Sequence, residues 1–115
     1  MEQMNKVELR GNVGSVRLQK VGDRQVVRFT LATNYAYKDK NGGAQIETTW
    51  HTVVAWQGKG TESLDKIEKG SKVSVLGRIR CEKYQGTDEQ EHTAYEVVAR
   101  KIDIIGDGEA LTYEF

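Results

Sequence analysis

A chain of 115 residues, 37% of them hydrophobic, is long enough to form one domain with its own core. Its single cysteine, Cys81, excludes an intrachain disulfide, and no apolar run approaches the length of a membrane span. The formal charge is zero, with 17 basic against 17 acidic residues, but residues 1–40 carry eight lysines and arginines against four acids while residues 86–115 carry two against eight.

The neutral total is therefore a basic body joined to an acidic end. The opening residues Met1-Glu2-Gln3-Met4-Asn5-Lys6 lack the apolar core of a signal peptide, so a soluble, cytoplasmic protein with no membrane contact is expected.

Asn5 to Val21 reads as a first strand, with Val7, Leu9, Gly11 and Val13 alternating against Lys6, Glu8, Arg10 and Asn12. Gly11 and Gly14 within it mark a bend or bulge. Gly22-Asp23 turns the chain into a second strand, Gln25 to Tyr37, whose Val27, Phe29 and Leu31 share a face. Asn41-Gly42-Gly43 is the next turn. Glu47 to Gln57 is a third strand, with Trp50, Thr52, Val54 and Trp56 outward and His51, Val53 and Ala55 inward.

Gly60 to Glu68 loses β-branched density, and Thr61 can cap it, so a short helix stopped at Gly70 is expected. Ser71 to Tyr84 is a fourth strand, with Val73, Val75, Gly77 and Ile79 on one face and Cys81 buried on that side. Glu91 to Ile105 is a fifth, with its alternation slipping at Val97-Val98 as a bulge would require. The expected fold is all-β: a five-stranded Greek-key OB-fold barrel over residues 1–106 with one short helix between strands three and four, then a short acidic tail over 107–115.

Catalysis finds little support, and no enzyme, metal or cofactor is expected. There are two histidines, no phosphate loop and no metal-ligand spacing around Cys81. His51 reads as a structural or interface residue, and His92 as exposed at a hairpin end. Binding is better supported. Aromatics stand beside cations at three places: Tyr35 and Tyr37 with Lys38 and Lys40, Trp50 and Trp56 with Lys59, and Tyr84 with Arg80 and Lys83. Unpaired bases need stacking surfaces and their phosphates need cations, and this interleaving supplies both. Packing of the tryptophans under a loop or a partner subunit is the alternative.

Ordered stretches carry a family resemblance. Asn5-Lys6-Val7-Glu8-Leu9-Arg10-Gly11-Asn12-Val13-Gly14, Phe29-Thr30-Leu31-Ala32-Thr33-Asn34, Thr49-Trp50-His51-Thr52-Val53-Val54-Ala55-Trp56 with Gly58-Lys59, and Glu68-Lys69-Gly70-Ser71-Lys72-Val73 with Val75-Leu76-Gly77-Arg78 resemble bacterial single-stranded DNA-binding proteins over about residues 5–106. The resemblance implies an OB-fold homotetramer that coats single-stranded DNA in replication, recombination and repair. It places base-stacking aromatics at Tyr37, Trp50, Trp56 and Tyr84, and phosphate-contacting cations at Lys6, Lys59, Lys69, Arg80 and Lys83, with Lys38 and Lys40 nearby.

His51 falls at a subunit contact by the same resemblance. Tryptophan is frequent in the family where this chain has Tyr37 and Tyr84, and Glu82 sets an acid within the basic fourth strand. Family members recruit replication and repair enzymes through a long tail with an acidic tip; here, with no proline or linker before them, Asp107, Glu109 and Glu114-Phe115 are either a contracted version of that tip or the mark of a lost role. Other readings are a dimeric primosomal-type relative, an OB-fold protein-interaction module, and an OB-fold nuclease, which would need clustered carboxylates.

Overall fold

The structure is a computed structural model that describes residues 2–61 and 64–106. Five long strands, β1 (Val7–Val21), β2 (Arg24–Lys38), β3 (Ala44–Trp56), β4 (Lys72–Gln85) and β5 (Glu91–Gly106), close into a barrel in the order β1-β2-β3-β5-β4. Neighbours are antiparallel except β3 and β5, which close the barrel as a parallel pair at Val53–Val97 and Val54–Val98. This is the expected five-stranded OB-type barrel. No helix among the described residues is long and apolar enough to cross a membrane.

Alternation fills the interior as the sequence requires. Val27, Phe29 and Leu31 of β2, Val53 and Ala55 of β3, and Val73 and Val75 of β4 are buried in one cluster. Closure also needs places where strands approach closely. A methyl group at Gly11 would run into the Ala32 carbonyl, and one at Gly77 into the Val98 carbonyl. A bulge interrupts the β1–β2 register between Val13 and Val16, where Gly14 was expected to allow one.

Several expectations are refined or corrected. Among the described residues, the short helix expected after β3 is a single 3-10 turn, Leu64–Lys66. The Thr61 hydroxyl donates to the Trp56 carbonyl, 2.5 Å, and ties the loop back onto β3. The β5 register slips not at Val97-Val98 but opposite the Leu76/Gly77 and Lys72/Val73 steps, so the extra residues fall at Arg100 and Ile105. Cys81 is exposed rather than buried.

The reason for the last is that β4 and β5 outrun the barrel. Pairing of β1 with β4 ends at Val7–Gly77, and the Asn5 side chain extends it by one step, accepting from Ile79 N at 2.9 Å and donating to Ile79 O at 2.7 Å. Beyond that point β4 pairs only with β5, so Cys81 stands opposite Tyr95 on a two-stranded ribbon with no layer beneath it. The β2–β3 hairpin likewise outruns β1, whose pairing stops at Asn12–Ala32.

Val54 departs from expectation as well. It faces outward by alternation yet is only 2% exposed. Arg28 of β2 is ion-paired to Glu96 of β5 at 2.9 Å, and β3 lies between those strands. Two strand spacings are about 10 Å, so the pair must pass across β3. Arg28 is in register with Val54, and Val54 with Val98, two residues past Glu96, so the crossing covers Val54.

Candidate nucleic-acid interface

The outward face of β3 carries two exposed indoles. Trp50 is 60% exposed and Trp56 40%, six residues apart, or about 20 Å along an extended strand. Large aromatic side chains gain most by burial, so two left open on one strand face need a partner. Each is steadied from below or beside. Trp50 lies over the Gly14 bulge, where a methyl group would come within 2.5 Å of its Cζ3. Over Trp56 stands the Arg24 guanidinium, 5.6 Å from the ring centroid and held by a 2.9 Å bond from its Nη2 to the Gln57 carbonyl.

Between the indoles lies a charged cluster. Glu96, 7% exposed, accepts from Arg28 at 2.9 Å and from Arg80, which also pairs with Glu82 at 3.2 Å. Burial alone would raise the Glu96 carboxyl, but the hydrogen bonds from Arg80 and Arg28 reverse this and hold it below its ordinary value. Arg80, a candidate phosphate contact, is thus tied to two acids.

Tyr84 is half-exposed on the β4–β5 ribbon and stacks on His92, with ring centroids 5.4 Å apart at 24°. His92 is half-buried rather than exposed, and Asp88 anchors it at 3.0 Å. Lys83 pairs loosely with Glu91 and Lys6 with Glu8, each at 3.7 Å between solvent-exposed side chains. Such pairs hold a cation weakly and leave it accessible.

Tyr37 does not join the tryptophan face. The β2–β3 register is unbroken from Val26–Trp56 to Lys38–Ala44, so Ala32 shares the face of Trp50 while Tyr35 and Tyr37 project from the other side of the hairpin. Asp39 shapes its tip, accepting from Gly43 N at 2.8 Å, Asn41 N at 2.9 Å and Gln45 Nε2 at 3.2 Å. These bonds, that from Gly43 foremost, pull its carboxyl below the usual range and fix the turn that presents Lys38 and Lys40. Lys38, Lys40, Lys59 and Lys69 are exposed and make no ion pair among the described residues. His51 is half-buried, 2.8 Å from Thr33 Oγ1, and burial lowers its pKa so that the ring is held neutral.

Sequence reasoning passed over Arg24, Arg28, Gly14 as the seat of Trp50, and His92 as the partner of Tyr84. The Val27-Arg28-Phe29 alternation already turned Arg28 outward. Its reach to Glu96 depends on β3 and β5 being neighbours, which no local pattern reveals. No group of three or more possible metal ligands occurs among the described residues.

The profile of the "Single-strand binding protein family" matches residues 4–105. The "Single-stranded DNA-binding protein" of Neisseria meningitidis is 35% identical over 106 residues, and its counterpart in Xanthomonas axonopodis is also 35% identical. Both alignments take in 90% of this chain but 60% and 58% of the relatives, so the chain spans a little over half of their length.

Among solved structures, "Plasmodium falciparum SSB complex with ssDNA" superposes with a TM-score of 0.76 at 29% identity, covering 91% of this chain and 96% of that one. A single-stranded DNA binding protein from Thermus aquaticus shares the fold, with a TM-score of 0.75 at 23% identity over 91% of this chain and 52% of that one. The chain belongs to the single-strand binding protein family.

Proposed function

We propose that this chain is a non-enzymatic, sequence-independent binder of single-stranded DNA that works in the cytoplasm as a homotetramer, in replication, recombination and repair. The observation that carries the reading is the pair of indoles left open on one face of β3, with the Arg24 guanidinium over Trp56. Every base has a π face, so stacking on Trp50 and Trp56 is indifferent to sequence, and each stacked base contributes roughly 1–3 kcal/mol. Lys59 beyond β3, Lys38 and Lys40 at the β2–β3 tip, and Lys6, Lys69 and Lys83 supply the salt-dependent attraction to phosphates.

Tyr84, backed by His92, and Tyr37, on the opposite side of its hairpin, extend the stacking surface along both ribbons. A strand that meets both must wrap around the barrel rather than lie on one face. The ligand of the Plasmodium falciparum relative supports the choice of partner. The neutral, half-buried His51 ring fits a subunit contact. Recruitment of partner enzymes through the acidic tail concerns residues 107–115, outside the described residues.

Replacing Trp50 and Trp56 together with alanine tests the platform. Both side chains are exposed, so the barrel should melt within a few degrees of the parent while affinity for a thymidine oligomer falls by about 2–6 kcal/mol. Full affinity in a folded double variant would reject the reading.

A further inference from the structure

Arg17 of β1 and Arg28 of β2 are directly opposed in the ladder and face outward together. Like charges in that position repel, and a sheet normally avoids or compensates them. Of the two, only Arg28 is compensated by Glu96, which it shares with Arg80. Arg17 is exposed and has no carboxylate within ion-pair distance among the described residues. An arginine left uncompensated next to the Arg28 strap is open to an anion from outside.

Arg28 is also fixed. It is drawn across β3 toward a carboxylate on β5 that is itself buried and cannot follow a ligand. One of its nitrogens is engaged there, and a guanidinium carries five N–H donors, so donors remain for a second acceptor. The crossing runs from beside Val54 toward Glu96, and Val54 and Thr52 stand between Trp50 and Trp56 on the outward face. A strap that merely joins β2 to β5 would account for Arg28 but gives no reason for an unpaired Arg17 at its shoulder.

We propose that Arg17 and Arg28 form a saddle for one phosphodiester of a bound single strand, at the point where the backbone passes between bases stacked on Trp50 and Trp56. The inference rests on the single-strand reading and adds to it two contact residues and a path: across β3, from the β1–β2 side. Arg28 grips from a fixed position, and Arg17 closes the phosphate from the neighbouring strand.

The test is the dependence of affinity for a thymidine oligomer on salt concentration. Each phosphate neutralised on a single strand contributes a slope of about 0.7 in log K against log salt. The double variant Arg17→Gln/Arg28→Gln is expected to lose about that much slope. Arg28→Gln also removes a partner of Glu96 and can disturb the fold, so Arg17→Gln, which breaks no contact, is measured alone and should lose a clear part of it. Lys66→Gln, on the 3-10 turn, is the control for general charge loss and should leave the slope unchanged.

A parental slope in Arg17→Gln, or an equal loss in Lys66→Gln, overturns the saddle while leaving the platform standing. A parent chain that binds no thymidine oligomer at all overturns the single-strand reading and the saddle with it.

Discussion

Adding one methyl group at Gly14 should disable Trp50 without touching it. The ideal Cβ would lie 2.5 Å from Trp50 Cζ3 and 2.7 Å from Thr30 Oγ1, where ordinary contact begins at 3.4 Å. The indole must therefore retreat by about 0.9 Å or tilt, and the threonine hydroxyl by about 0.7 Å. The hydroxyl has little room to yield: it accepts from Ser15 N at 2.9 Å and lies 3.1 Å from Ser15 Oγ. The ring is exposed and yields more readily, which limits the cost.

Overpacking typically costs about 1–3 kcal/mol, and a well-exposed neighbour puts Gly14→Ala at the lower end, near 1 kcal/mol of stability. The loss in binding should be larger, up to the value of one stacked base, about 1–3 kcal/mol. The assay is a double-mutant cycle on affinity for a thymidine oligomer, with Trp50→Ala as the second change. Gly14→Ala should weaken binding in the parent and add almost nothing once Trp50 is gone. Equal losses in both backgrounds would refute the idea that Gly14 acts through the indole.

Two further outcomes are expected. Glu96 has a depressed carboxyl in the folded chain, so it contributes stability that is present above its ordinary value of 4.5 and is lost as the pH falls through the lower folded value. Urea midpoints followed from neutral pH downward should therefore drop more steeply below about 4.5 in the parent than in Glu96→Gln, and superimposable profiles would contradict the ion-pair geometry. Leu31, fully buried at the centre of the core, should cost about 2–5 kcal/mol when cut to alanine, read as a lowered denaturation midpoint; a loss below 1 kcal/mol would mean the barrel collapses onto the gap.

The barrel was legible because its strands alternate cleanly and its turns carry glycine: Val27, Phe29 and Leu31 point in, and Gly22 and Gly42 turn at positive φ. Trp50 and Trp56 were legible as an outward pair for the same reason. What escaped depends on which distant strands become neighbours. The burial of Val54 follows from Arg28 and Glu96 meeting across β3, 68 positions apart in sequence, and the capture of Arg80 from its place opposite Glu96 in the β4–β5 ladder. Cys81 seemed interior by parity, but parity says nothing about where the barrel stops and a ribbon begins. The Thr61 hydroxyl donates to the Trp56 carbonyl, a contact no local pattern reveals. The opposite faces of Tyr37 and Trp50 could have been counted from the hairpin register, had the turn at Asn41-Gly42-Gly43 been used to set it.

The most direct test of the central claim is the intrinsic tryptophan fluorescence of this chain titrated with a thymidine oligomer, repeated with duplex DNA and at high salt. The account predicts strong quenching by the single strand, little by the duplex, and a weaker apparent affinity as salt rises. An unchanged emission at low salt with saturating oligomer would mean that Trp50 and Trp56 do not receive bases, and the account would fall.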